Sequence, residues 1–232
     1  MQNEKLIAIL EQVLEGYIST EEIESVIAVL RKELADKNAK SEGKQDLYKA
    51  MTAVIKSAKK REPHDISLHG ARIEKDGNQY VSDGCICIEN AGTHLDLPSA
   101  PPIGEHRLNL VTVMTTYKKC AKKSDNVLIS PTIAEIKSGI AEQKAIAKYR
   151  EHRIQSVVYD FEDGHRVDAN YLRLMMQTTG SNTIYAENRI DFEGAQVGVL
   201  YSESKDGTVR VVCMPIRSKN QQKHREFGYI KK

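Results

Sequence analysis

The sequence predicts an α+β fold: helices backing antiparallel strands, preceded by a helical hairpin. Three observations carry this. Apolar residues recur at helical spacing in several separate segments. Asp-Gly turns sit between strand-like runs. One strand–helix–strand pattern occurs twice, about 59 residues apart. With 232 residues, 40% hydrophobic and 28% charged, the chain has the composition of a soluble globular protein. No run approaches the ~18 apolar residues of a membrane span, and the first residues lack a signal-peptide pattern. A cytoplasmic protein is the expectation.

Residues 1–37 carry eight acids (Glu4, Glu11, Glu15, Glu21, Glu22, Glu24, Glu33, Asp36) and four bases (Lys5, Arg31, Lys32, Lys37), a net of −4. The formal charge of the whole chain is +2, so the remainder is +6. Leu6, Ile7, Leu10, Val13 and Leu14 form one helical stripe, stopped by Gly16. Ser19 and Glu22 have capping-box spacing, and Ile23, Val26, Ile27, Leu30 and Leu34 form the second stripe. Two such helices cannot bury both stripes alone and must pack on the rest of the chain or on another copy.

The polar stretch 36–44 reads as a linker. The expected division is an acidic hairpin over 1–37, a linker at 38–45, an α+β domain over 46–217 and a flexible basic tail over 218–232. Residues 46–60 read as a helix with Leu47, Met51, Val54, Ile55 and Ala58 on one side. Strands over 71–74 and 79–88 flank Asp76-Gly77, a pair that accepts the positive φ of tight hairpins. His106-Arg107-Leu108-Asn109 then precedes a helix over 110–122 and a strand at 125–129. Its echo, His165-Arg166-Val167-Asp168, precedes a helix over 169–178 and a strand at 182–185. In both, Asn or Asp stands where a helix start needs an acceptor. An extra helix is expected within 131–153, and strands at 196–201 and 208–214 around Asp206-Gly207.

Cys85, Cys87, Cys120 and Cys213 show no CxxC pair and no zinc-finger spacing, and Cys85-Ile86-Cys87 reads as buried, inert strand. Asp160, Glu162, Asp163 and Asp168 cluster near His165, as a metal-dependent nuclease would require. Asp163-Gly164 is, however, an ordinary turn, and EF-hand spacing, a glycine-rich phosphate loop, HExxH and a nucleophile elbow are all missing from the sequence. The expectation is a protein without catalytic activity and without a cofactor.

The run from Val167-Asp168-Ala169-Asn170-Tyr171-Leu172 to Val211-Val212-Cys213-Met214-Pro215-Ile216-Arg217 resembles the end of bacterial DNA polymerase sliding clamps, the beta clamps. These close with a helix opened by Asn and bearing a Tyr three residues on, then a hairpin and Met-Pro-x-Arg. Tyr80-Val81-Ser82-Asp83-Gly84 is similar to the family's Thr-Asp-Gly strand, although Cys85-Ile86-Cys87 stands where His-Arg-Leu follows. The chain thus resembles a shortened, divergent clamp, of the kind a phage or mobile element carries. The resemblance spans about residues 46–217.

It implies pseudo-symmetric helices on curved antiparallel sheets and a processivity factor that oligomerises on duplex DNA. Lysines and arginines on the helices would meet phosphates without reading sequence. Those are Lys49, Lys56, Lys59, Lys60 and Arg61 on the first helix, Lys118, Lys119, Lys122 and Lys123 on the second, and Arg166 and Arg173 at the third. The plain alternative is cations that favour helix C-termini. With twelve helices lining a ring, three inward helices per chain imply four copies and two imply six. The resemblance also implies a groove for short linear motifs of replication proteins. It would be built from Asp168, Tyr171, Met214, Pro215, Ile216 and Arg217, facing Ser82, Gly84, Cys85, Ile86 and Cys87. A clamp mimic that binds replication factors without encircling DNA is the alternative. Asp168 and the two cysteines depart from the family's side chains at these positions.

Overall fold

The computed structural model describes residue 13 and residues 19–101, 108–150, 156–191, 194–216 and 227–231. They form an α+β structure, divided into two compact units, Met1–Tyr48 and Lys49–Lys232.

In the first unit, α1 (Thr20–Ser41) starts at the expected capping box: Glu22 N–H donates to Ser19 Oγ, and Ser19 N–H donates back to the Glu22 carboxylate. The polar stretch expected as a linker is helical to Ser41, because its Ala and Lys residues suit a helix whose Ala35 and Ala39 are buried. Only a turn at Glu42–Lys44 breaks the chain before α2 (Gln45–Arg61), with Gly43 at φ +71°. Gln45 Nε2 donates to the Asp36 carboxylate at 3.3 Å. The expected first helix of the hairpin lies outside the described residues apart from Val13.

The second unit centres on a seven-stranded antiparallel sheet in the order β1-β2-β3-β9-β8-β7-β4. The strands are β1 (Arg72–Ile73), β2 (Gln79–Ser82), β3 (Ile86–Asn90), β4 (Asn126–Ile129), β7 (Thr183–Ala186), β8 (Leu200–Glu203) and β9 (Val209–Cys213). The single strand expected at 79–88 is two strands, because Asp83 and Gly84 (φ +84°) turn the chain between them. The register aligns Cys87, Val212, Tyr201 and Tyr185 across four strands. On that face α3 (Leu110–Lys123) buries Leu110, Met114 and Ala121.

The second helix of the echo, α5 (Ala169–Thr179), lies on the opposite face. Its Thr179 hydroxyl contacts Ser202 Oγ at 3.3 Å, and Ser202 points away from Tyr201 because successive strand side chains alternate. Eight of its eleven residues are buried. Such burial follows from covering on two sides, by the large sheet and by a small sheet with α4 (Ile133–Tyr149). That small sheet runs β10-β5-β6: β5 (Ser156–Asp160) pairs antiparallel with β6 (Arg166–Asp168) and parallel with β10 (Phe227–Lys231). The tail expected to be flexible therefore contributes a strand. A parallel partner 71 residues away leaves no local pattern. Gly139 admits β10 to α4, since a Cβ there would stand 2.6 Å from Ile230 Cδ1.

The two expected caps are in place. Asn109 accepts from Thr112 N–H at 3.0 Å and Asp168 from Asn170 N–H at 2.8 Å. Gly180 closes α5 in the left-handed conformation, φ +63°. The strands that follow the two helices, β4 and β7, pair with each other. A strand, β6, precedes α5, whereas Leu108 and Asn109 before α3 are not in one, and His106 and Arg107 lie outside the described residues. No described helix is long and apolar enough to cross a membrane.

Candidate functional site

Three segments distant in sequence meet at one end of the large sheet: the Ser82–Cys87 turn, the start of α5, and Met214–Ile216 beyond β9. Backbone hydrogen bonds join them. Met214 N–H donates to Cys85 O at 2.7 Å, and Ile216 N–H donates to Arg166 O at 2.8 Å.

Asp83 organises the turn. It is 1% exposed. Its Oδ1 accepts from the Cys85 and Ile86 N–H groups, both at 3.0 Å. Its Oδ2 accepts from Ser57 Oγ at 2.6 Å and from the Tyr171 hydroxyl. Arg61, at the end of α2, donates to Tyr171 Oη at 2.6 Å and to Cys85 Sγ at 3.0 Å. Burial and the Asp83 carboxylate push the Tyr171 phenol up, so it stays neutral and donating. Burial works to lower the Arg61 guanidinium, but its hydrogen bond to the Tyr171 oxygen and the nearby Asp83 carboxylate leave it raised. Burial also raises the Cys85 thiol, with Arg61 opposing only in part.

The expected groove residues are thus brought together, with different roles. Gly84 is exposed, and Cys85, Asp168, Met214 and Ile216 are half-buried, so these present the accessible surface. Tyr171, Ile86, Cys87 and Pro215 are buried and support it. Ser82 is also buried and bonds within the turn, its hydroxyl donating to Ile86 O at 2.9 Å. Asp168 is held as a helix cap and accepts from Ser156 Oγ. Arg217 lies outside the described residues. Cys87 and Met214 belong to the cluster under α3, whereas Ile86, one residue before Cys87, faces the other way.

The basic residues do not share one surface. Lys118, Lys119, Lys122 and Lys123 rim a cleft of about 630 Å³ between α3 and the sheet, with Asp76, Asn78, Tyr80, Glu89, Met114, Thr115 and Arg210. Within it, Arg210 donates to Glu89 Oε1 at 2.7 Å, Asn78 donates to the same oxygen at 2.7 Å, and Tyr80 Oη donates to Asp76 at 2.6 Å. Lys122 bonds Glu203, Lys118 stands 3.6 Å from the same carboxylate, and both lie over Tyr201. Ion pairs this exposed add about 0–1 kcal/mol each, but they hold both ammonium groups against the chain. Lys119 and Lys123 stay exposed. Arg166 pairs with Asp160 at 3.2 Å. Arg173, on α5 behind the other sheet face, donates to Gln177 at 3.1 Å. Lys49, Lys56, Lys59 and Lys60 are exposed on α2.

Sequence reasoning missed Ser57, Asp83, Glu89, Glu203 and Arg210. Asp83 stands inside the Ser82-Asp83-Gly84 run that carried the resemblance, and the alternation of β8 puts Glu203 beside Tyr201. No known protein family, curated protein or solved structure matches the chain.

Proposed function

We propose that the chain is a non-catalytic, sliding-clamp-like docking module of the cytoplasm that takes short linear peptides of replication proteins. The peptide lies along Gly84, Cys85, Met214 and Ile216, over the platform fixed by Asp83, Tyr171 and Arg61. One observation carries this reading: segments that the clamp resemblance names as the two walls of a groove, 129 residues apart in sequence, are joined by the Met214 N–H to Cys85 O bond. The half-buried side chains of Cys85, Met214 and Ile216 around exposed Gly84 suit apolar peptide anchors.

The reading is tested by selecting linear peptides from a random display library on the immobilised full chain, then titrating the enriched peptide by fluorescence anisotropy. The expected result is a consensus with apolar anchors, weakened at least tenfold by Ile216→Glu and unaffected by Lys119→Glu. Failure to enrich any peptide, or equal affinity in Ile216→Glu, overturns it.

A second reading, a processivity factor that oligomerises around duplex DNA with pseudo-symmetric modules, is favoured by the exposed Lys119 and Lys123 on one side of α3. It competes less well because Arg61, Lys118, Lys122, Arg166 and Arg173 are engaged by the chain itself. Salt-sensitive retention on circular but not linear duplex, lost in Lys119→Glu/Lys123→Glu, would favour it.

A further inference from the structure

Helix α1 carries two apolar faces: among the described residues one is buried, and the other is half-buried at Ile23, Val26 and Leu30 and exposed at Ile27 and Leu34. Ala35 and Ala39 are buried at 4% and 3% exposure. The stripe Ile23, Val26, Ile27, Leu30 and Leu34 is centred about 140° round the helix from them, at 100° per residue. Ile27 is 40% exposed and Leu34 57%. The stripe extends over about three turns, roughly 17 Å, and has the spacing of a helix-pairing seam.

The charges along α1 decide what fits. Its first half carries Glu21, Glu22 and Glu24 and no base, a net of −3. Its second half carries Arg31, Lys32, Lys37 and Lys40 against Glu33 and Asp36, a net of +2. A second α1 laid antiparallel sets the acidic half of each helix beside the basic half of the other, twice over. A parallel pair sets like against like.

We infer that the chain self-associates through α1, two copies pairing antiparallel along Ile23, Ile27, Leu30 and Leu34. The surface lies in the first unit and does not depend on the peptide groove in the second. It would give a docking module two copies of its groove.

Sedimentation velocity on the full chain tests this. The expected species has twice the 26.1 kDa of one chain and dissociates more readily as NaCl is raised from ~50 to ~500 mM, because screening weakens the complementary ends. Ile27→Glu/Leu34→Glu should return it to 26.1 kDa without altering peptide binding by the second unit. Glu21→Lys/Glu22→Lys/Glu24→Lys and Arg31→Glu/Lys32→Glu/Lys37→Glu should each be monomeric alone and pair when mixed. A monomeric parent overturns the inference, as does a double-glutamate variant that keeps its mass.

Discussion

Removing the Asp83 carboxylate is expected to loosen the junction of the Ser82–Cys87 turn, α2 and α5. Asp83→Ala deletes acceptors for two backbone N–H groups and two hydroxyls at a site 1% exposed. Hydrogen bonds to charged groups contribute about 1.5–3 kcal/mol each. Ser57 is half-buried and can turn to water, and the turn can relax, so the four do not add in full. The Arg61 guanidinium also loses a nearby carboxylate. A cost of about 3–5 kcal/mol follows, in the range found when one partner of a buried charge pair is removed. Tyr171→Phe removes only the hydroxyl between Asp83 and Arg61 and should cost about 1.5–3 kcal/mol. Because the two substitutions share a bond, the double variant should fall short of the sum by about 1–2 kcal/mol. Urea unfolding followed by far-ultraviolet circular dichroism measures all three, there being no tryptophan to report fluorescence. A loss below ~1 kcal/mol for Asp83→Ala, or additivity within ~0.5 kcal/mol, would refute the reasoning.

Three further expectations concern other parts of the fold. Burial raises the Glu203 carboxyl, but hydrogen bonds from Lys122 and Tyr201 and the charges of Lys122 and Lys118 leave it below its usual value. The stability it contributes is therefore present above the unfolded carboxylate value of about 4.3 and lost as pH falls through the folded one. Glu203→Gln should be less stable than the parent by about 1 kcal/mol at pH 7, with the two urea midpoints converging below pH ~4; a gap independent of pH would contradict this. Burial pushes the Cys87 thiol up to about 12 and Cys213 well above its usual value, so iodoacetamide at pH 8 should label half-buried Cys85 and Cys120 first. Mass spectrometry that finds Cys87 labelled at the same rate in the folded chain would count against this packing. Gly139→Ala puts a methyl against Ile230 and should cost about 1–3 kcal/mol, with faster hydrogen exchange in β10 and β5; unaltered exchange there would show that α4 and β10 do not approach so closely.

Signals confined to a few neighbouring residues were legible in the chain. The Ser19–Glu22 capping box, the Asn109 and Asp168 caps, the Gly180 closure and the Asp76-Gly77 turn each form within a few residues, so the local pattern sets them. The helices over 46–60 and 110–122 were placed within one residue at each end because their apolar stripes repeat without a break. Strand β5 was not expected, since Val157-Val158-Tyr159 is a short apolar run whose partners are a β6 strand across a turn and a remote β10. The assignment of helices to sheet faces was also hidden. The echo predicts two similar units, but α3 packs on Tyr201 and α5 on Ser202, a difference set by which residue of one strand points which way. In the site, residue type was legible and partnership was not. The lysines of α3 read as phosphate ligands, and only the fold brings Glu203 from 81 residues away to meet Lys122.

The parallel pairing of β10 with β5 constrains how the chain matures on the ribosome. Strand β5 is made before β7, β8 and β9, and its antiparallel neighbour β6 follows at once, but residues 227–231 are made only after the whole large sheet has been synthesised. Until then one edge of β5 is an open template beside α4, at the stage when nascent chains are most exposed to misassociation. Completion of the small sheet is thus a late, non-local closing step, and α5, which it helps cover, reaches its final packing only when translation has passed that strand.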